Sequence, residues 1–356
     1  MPSLPSDRKN MKFLRTPRNL FFILIFLLIC MIILSISLGS VRIPLEQVIR
    51  VIFGMPIEKS AYAVIILQYR IPKIITALLA GAALSVAGLQ MQTLFQNPLA
   101  DPFILGVSSG ASLGVALIVL SVGTTGTFLL AGIGLLGDIS IAAAAFLGSL
   151  LVLVFILMIS QRARSSTMML LIGLMVSYIT SAVVSLLIYF SLPEKIYTYL
   201  SWTFGSFSGV TWSQIWIIVP ALLLGFVVAF ALSKPLNALL MGEKYAQTVG
   251  INIRRTRFWI IVSASLLAGI VTAFCGPIGF IGIAIPHVAR AIFHSANHRI
   301  LLPATFLIGS ITAILSDVIA QLPGHQQVLP INVVTAMLGA PVVLWVLIRN
   351  QRNMQT

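Results

Sequence analysis

Eight long stretches of this chain contain no Asp, Glu, Lys or Arg, and they constrain its fold more than any other feature. A charge-free apolar run of roughly 18 or more residues is typical of a membrane-spanning helix. Only 8% of the residues are charged and the mean hydropathy is +1.06, whereas soluble domains carry about 25% charged residues. The sequence therefore predicts an all-α polytopic membrane protein.

Dividing the runs at Gly, Pro and polar clusters gives ten predicted spans. The run 258–289 is too long for one span, and Cys275-Gly276-Pro277 supplies a break in its middle. The predicted spans are 19–40, 64–94, 103–122, 139–160, 167–190, 212–233, 257–275, 278–294, 300–321 and 330–348. We expect one ten-span domain over residues 19–350, flanked by cytoplasmic tails 1–18 and 351–356.

The distribution of basic residues predicts the orientation. If both termini are cytoplasmic, sixteen of the 22 Lys and Arg residues fall on the inside, as the positive-inside rule requires. The formal net charge of +14 is thus explained by topology, because the basic residues lie between apolar runs rather than in one patch. We expect membrane lipid, and no nucleic acid, as their surroundings.

Two connections between spans carry helix signals of their own. The outer segment 43–60 opens with Leu45, Val48, Ile49 and Ile52 at helical spacing, between Pro44 and Gly54, which predicts an amphipathic helix on the membrane face. The inner segment 234–257 begins at Lys234-Pro235, and its second apolar pattern ends at Gly250. We interpret this second segment as two short helices outside the bilayer.

The polar residues exclude several kinds of chemistry. No Glu falls within a predicted span, and Asp101, Asp138 and Asp317 lie near span ends, which argues against a carrier driven by buried carboxylates. No P-loop pattern occurs, so an ATPase would be a separate subunit. No H-E-x-x-H or G-x-S-x-G pattern occurs either, and we assign no catalytic residue.

The histidines raise the question of a metal site. His294 and His298 are four residues apart, which could place two ligands on one helix face. We favour the alternative that both lie in a solvated polar loop beside Arg290 and Arg299. His287 follows Pro286, and we expect it to satisfy a carbonyl freed by that proline rather than to bind metal. We predict no metal ligands.

Four blocks of sequence resemble the permease family of ATP-binding-cassette importers for iron–siderophore complexes, haem and cobalamin. The first covers residues 70–115. The others are GPIGFIGIAIPHVAR (276–290), NHRILLPA (297–304) and LPINVVTAMLGAPVVLWVL (329–347). The blocks occur in family order and the resemblance spans about residues 20–350. It implies a type II importer permease fold with ten spans per subunit.

The resemblance also implies partners and functional positions. The partners would be a second copy of the chain, two ATPase subunits that bind ATP and Mg, and an extracytoplasmic substrate-binding protein; this chain itself would bind no cofactor. The implied inner gate comprises Gln96, Asn97, Pro98 and Leu99, together with Arg164, Ser165 and Ser166 in the connection that follows Arg162. The implied ATPase-coupling positions are Gly242, Glu243, Ala246 and Gly250.

On the outer side, Arg70 matches an arginine with which the family grips acidic residues of the binding protein. The family's second docking arginine aligns with Gln321 here. The second ion pair would be lost, or Lys73 or Lys195 would substitute for it. We predict binding-protein docking at Arg70 and Lys73.

The expected function is that of a permease subunit, without enzymatic activity, in an importer of a metal chelate. Ferric siderophore is the first candidate, then haem, then cobalamin. We expect it in the bacterial cytoplasmic (inner) membrane, operating by alternating access. A secondary active transporter is the alternative; it would need intramembrane carboxylates and would not need the 234–257 segment.

Overall fold

A computed structural model of the chain describes residues 16–39, 41–120, 136–160, 166–321 and 328–354. All regular elements in these ranges are helical, as expected. A π-helical turn, Ile65–Arg70, joins the helix Ser60–Val64 to the helix Ile71–Phe95, and a 3-10 turn, Pro102–Leu105, precedes the helix Val107–Val119. The helices are α1 Pro17–Ser37, α2 Leu45–Ile52, α3 Ser60–Val64, α4 Ile71–Phe95, α5 Val107–Val119, α6 Leu136–Ser160, α7 Ser166–Tyr189, α8 Pro193–Thr203, α9 Trp212–Ala231, α10 Ser233–Leu239, α11 Glu243–Thr248, α12 Ile253–Cys275, α13 Ile281–Phe293, α14 His298–Ala320 and α15 Ile331–Met354.

Seven helical segments in the described ranges are long and apolar enough to cross a membrane. One of them is the continuous stretch Ser60–Phe95, which combines α3, the π-helical turn and α4. Three shorter apolar helices, Val107–Val119, Ile281–Phe293 and Ile331–Trp345, fall where the third, eighth and tenth spans are predicted. The predicted break in the long apolar run is confirmed, because α12 ends at Cys275 and α13 begins at Ile281.

The core is built around α4, which packs against α9, α12, α13 and α14. Two contacts are so close that only glycine fits. A Cβ placed on Gly81 would overlap the carbonyl of Gly309 in α14, and one on Gly88 would overlap the carbonyl of Gly282 in α13. Small residues at such positions allow helix backbones to touch, which is how helices associate in lipid.

The helices at the periphery of the bundle are far less buried than α4. In an apolar 18-residue stretch of each helix, 83% of the residues are buried for Ser60–Phe95, but only 22% for α1 and 17% for α7. The exposed side chains are large and apolar, among them Phe22, Phe26, Tyr178 and Ile179. These faces fit contact with lipid or with a second membrane chain.

The two predicted connecting elements are present. In α2, Val48 packs inward as a core residue, whereas Leu45, Ile49 and Ile52 remain exposed. The apolar pattern therefore serves two surfaces, one against the protein and one available to a membrane. The inner segment forms two short helices, α10 and α11, as the sequence predicts.

Candidate functional site

The turn after α4 begins with a strained backbone. Gln96 has a φ of +48°, and the amides of Gln96 and Asn97 donate to carbonyls in the last turn of α4. This is the helix ending that glycine usually completes, and for a residue with a Cβ it costs roughly 1–2 kcal/mol. Such strain clusters at switch regions; among the described residues the 96–99 turn predicted as the inner gate shares it with Phe280 and His294.

The turn forms hydrogen bonds within itself and with two neighbouring helices. The carboxamide oxygen of Asn97 accepts the N–H of Leu99 at 2.9 Å. Gln96 donates from Nε2 to the carbonyl oxygen of Leu239, at the end of α10, at 2.9 Å. Nε2 of His287 in α13 lies 2.8 Å from the carbonyl oxygen of Pro98. The turn is therefore tied to both α10 and α13.

The second half of the predicted gate lies largely beyond the described ranges. Arg164 and Ser165 fall in 161–165, outside the described residues. Ser166 is the first residue of α7. Their gate role stays a prediction.

The predicted coupling segment has the backbone that its glycines indicate. Gly242 has a φ of +99° and precedes α11, and Gly250 has a φ of +82° and follows it. Ala246 is fully buried. Glu243 accepts a hydrogen bond at 2.8 Å from Arg257 of α12, which fixes α11 to the start of that helix.

At the other end of α4, the predicted docking arginine is buried. Arg70 is 6% exposed. Its guanidinium donates to the carbonyls of Ile36, near the end of α1, and of Val41. Arg70 thus ties the first helix to the long one, and its contact with a binding protein stays a prediction.

The second predicted docking residue, Lys73, is paired within the chain. Its Nζ lies 3.0 Å from Oδ2 of Asp317 in α14, and both side chains are buried. Gln321 donates from Nε2 to the same oxygen at 2.7 Å. Beside this group is a 310 Å³ cavity, to which Arg70, Lys73 and Gln321 contribute.

A second cavity is lined by hydroxyl groups. It has a volume of 470 Å³ and lies between α5, α7 and α8. Six serines and Tyr199 contribute to its wall, the serines being Ser108, Ser109, Ser112, Ser177, Ser181 and Ser185. The wall of this cavity is therefore polar, and the described residues that form it include no charged side chain.

The structure corrects the interpretation of two histidines. His294 lies in the link between α13 and α14 and is exposed, but His298 is only 1% exposed, so a shared solvated loop is wrong. His298 opens α14, and its ring contacts Thr93 of α4 and Asn237 of α10. His287 does bond a carbonyl, but that of Pro98 rather than one freed by Pro286. Among the described residues, no three His, Cys, Asp or Glu side chains form a metal-sized group.

Sequence reasoning did not identify a polar cluster at the same end of α4 as the 96–99 turn. Gln92 donates to the carbonyl of Ile283 at 3.1 Å and accepts from Arg290 at 2.8 Å. Thr93 and His298 meet at 2.8 Å. The available signal was the group of polar residues in the last turns of an otherwise apolar helix.

These features define a polytopic helical membrane protein with a buried central helix, a strained turn at one end of that helix and a two-helix segment attached to the turn. The model of the FecCD transport family matches residues 27–349. The chain therefore belongs to the FecCD transport family.

Individual relatives agree with this assignment. The vitamin B12 import system permease proteins BtuC of Salmonella paratyphi A and Salmonella schwarzengrund are each 38% identical to this chain over 285 residues, covering 80% of it and 84% of the relative. A solved structure described as an ATP-binding-cassette transporter of the metal-chelate type, in an inward-facing conformation, superposes with a TM-score of 0.78. It is 29% identical and the match covers 92% of this chain and 99% of that one.

Proposed function

We propose that this chain is the permease subunit of an ATP-binding-cassette importer for a metal chelate. Two copies would form the pathway, each with ten spans and with both termini in the cytoplasm of a bacterial cell. Two ATPase subunits would bind ATP and Mg on the inside, and a binding protein would deliver the chelate outside. Membership of the FecCD family and the 38% identity to vitamin B12 permeases support this proposal.

The observation that carries the proposal is the surface of the α10–α11 segment. Its exposed side chains include Leu240, Met241, Tyr245 and Val249, each at least 41% exposed. This apolar patch lies next to Gly242 and Gly250, whose positive φ angles shape the segment. An apolar patch on a polar-flanked helical pair is suited to burial in a groove of a soluble partner, and we assign that partner as the ATPase.

The relatives bear on which chelate is carried. The curated relatives named above import vitamin B12 by their names, so cobalamin moves to the first position among the candidates. Ferric siderophore and haem follow. The hydroxyl-lined cavity offers hydrogen-bond acceptors to a polar solute, because Ser109, Ser177 and Ser185 already donate to backbone carbonyls and keep their oxygen lone pairs.

The gate and docking positions belong to the same proposal. Residues 96–99 of the two subunits would close the inner end of the pathway, together with Arg164, Ser165 and Ser166. The outer cavity beside Arg70 and Lys73 would receive acidic side chains of the binding protein. Arg70→Glu should then weaken docking strongly, and Gln321→Arg should leave it unchanged or strengthen it.

A secondary transporter has less support. Such a carrier would need an intramembrane carboxylate free to exchange an ion. Two aspartates are buried among the described residues: Asp317 is held by Lys73 and Gln321, and Asp101 accepts the backbone N–H of Phe103 in the turn before α5. Nothing in that mechanism would use the exposed apolar patch on α10–α11.

The test begins with purification of the tagged full-length chain from its native membranes. We expect an ATP-binding-cassette ATPase to co-purify with the wild type and with Tyr245→Phe, but not with Met241→Glu, because a carboxylate cannot enter an apolar groove unpaired. Proteoliposomes holding the complex should take up radiolabelled cobalamin, or an iron-loaded hydroxamate siderophore, only when ATP is hydrolysed. Uptake driven by a proton or sodium gradient without the ATPase would overturn the proposal.

A further inference from the structure

His298 joins three helices through one buried imidazole. Its Nε2 lies 2.8 Å from the hydroxyl oxygen of Thr93 in α4. Its Nδ1 lies 3.0 Å from Oδ1 of Asn237 in α10, and its backbone N–H donates to the same oxygen at 2.8 Å. The ring itself belongs to α14. The three side chains therefore connect the two-helix segment to both long buried helices.

The hydrogen-bond pattern determines which ring nitrogen carries the proton. Asn237 donates from Nδ2 to Oδ1 of Asn297 at 2.9 Å, so its own oxygen is the atom that faces His298. An amide oxygen only accepts, so Nδ1 of His298 must be the donor. In the neutral ring, Nε2 is then left to accept from Thr93, whose hydroxyl proton also lies within reach of the Leu89 carbonyl. The connection from His298 to Asn237 thus has a defined direction, whereas the Thr93 proton has two acceptors within reach, Nε2 of His298 and the Leu89 carbonyl.

A second connection runs in parallel. Gln96 reaches the carbonyl of Leu239, two residues beyond Asn237 on the same short helix. The remaining contacts between α10 and its neighbours include the buried apolar residues Leu236 and Leu239. Apolar contacts tolerate sliding, whereas hydrogen bonds are directional. The polar connections, together with the single-residue link between α9 and α10, hold α10 in register with the end of α4.

We propose that Asn237, His298 and Thr93 are positioning residues that make α10 and the inner end of α4 one mechanical unit. When the ATPase displaces the α10–α11 segment, this unit carries the displacement to the strained 96–99 turn. The inference rests on the proposed function, since it presumes an ATPase bound to that segment. Nothing in it requires any of the three residues to touch the chelate.

The discriminating variant is Thr93→Val, which removes one hydroxyl and conserves volume. Its matched control is Thr305→Val in α14, where an equally buried hydroxyl bonds to the Leu301 and Leu302 carbonyls of its own helix. Thr93→Ser, which keeps the hydroxyl, is the rescue. We expect Thr93→Val to raise the ATP hydrolysed per chelate imported several-fold, with the hydrolysis rate maintained. Thr305→Val and Thr93→Ser should retain the wild-type ratio.

The measurement uses the full complex in proteoliposomes, with radiolabelled cobalamin or an iron-loaded hydroxamate siderophore as the probe. A wild-type ratio in Thr93→Val would overturn the link and leave the proposed function standing. A parallel fall of uptake, hydrolysis and melting temperature in both valine variants would also overturn it, because that pattern reflects loss of stability alone. Absence of ATP-dependent uptake of any probe by the wild type would overturn the proposed function and the link together.

Discussion

The long helical stretch Ser60–Phe95 is held at its two ends by different chemistry. At the Arg70 end, which we propose faces outward, the contacts are charged: Arg70 binds backbone carbonyls and Lys73 pairs with Asp317. At the Phe95 end, which we propose faces inward, the contacts with α10 and α14 are neutral, between hydroxyl, amide and imidazole groups of Thr93, Gln96 and His298. One charged group, the guanidinium of Arg290 in α13, also bonds to Gln92 there. The same partner helix, α14, takes part at both ends.

The difference indicates different tasks. Separating a buried ion pair leaves a charge stranded in a low-dielectric interior, so such a pair acts as a fixed anchor. A neutral hydrogen bond contributes only about 1 kcal/mol net and can be exchanged for another. We therefore expect damage at the outer end to lower stability, and damage at the inner end to lower the efficiency with which ATP hydrolysis drives transport.

The largest expected effect is that of Asp317→Asn. The substitution keeps the shape of the side chain but leaves the ammonium of Lys73 buried without a countercharge. We expect a loss of about 3–5 kcal/mol in the free energy of unfolding, measured by chemical denaturation of the protein in detergent. The double variant Lys73→Met with Asp317→Leu should recover most of that loss. Wild-type stability of Asp317→Asn alone would contradict the anchor role.

Arg70→Met should have the next largest effect. It keeps an apolar stem of similar length but removes the donors that the carbonyls of Ile36 and Val41 use. The buried Ile36 carbonyl is left without a donor, which costs about 1–3 kcal/mol, whereas Val41 is 44% exposed and its carbonyl can bond to water. The loss of stability should therefore be smaller than that of Asp317→Asn. The same purified variant allows binding-protein affinity to be compared with Arg70→Lys. If Arg70→Met is as stable as the wild type, Arg70 does not fasten α1 to the long helix.

Gln96→Ala is expected to have the smallest effect on stability. It removes one neutral hydrogen bond, to the carbonyl of Leu239, at an exposed residue, and should change the free energy of unfolding by about 1 kcal/mol or less. The ATP consumed per chelate should nevertheless rise. If Gln96→Ala reduces stability but leaves the ATP consumed per chelate unchanged, the proposed difference between the two ends of the long helix is wrong.

Much of the helical framework could be predicted from the sequence because membrane spans obey a local rule. Charge-free apolar length alone indicated the helices, and Gly276-Pro277 indicated where one long run must break. Gly250 indicated where α11 ends, since its positive φ favours glycine.

The polar contacts between helices could not be predicted in the same way. Lys73 and Asp317, like Thr93 and His298, are distant in the sequence, and their pairing depends on how α4 packs against α14. The sequence predicted a solvated loop at His298 because its neighbours His294 and Arg299 are polar. Only the packed helices show that its ring points inward.

The most direct test of the account is whether the α10–α11 segment and the 96–99 turn move together. Cysteines at Gln96 and Leu240, in a chain whose Cys30 and Cys275 are replaced, would be joined by a short bifunctional thiol reagent. The reconstituted complex would then be assayed for ATP-driven chelate uptake, with each single-cysteine chain treated with the same reagent as its control. The account predicts that cross-linked protein retains transport, because the two sites form one unit throughout the cycle. Transport abolished by the cross-link and restored on its cleavage would contradict it.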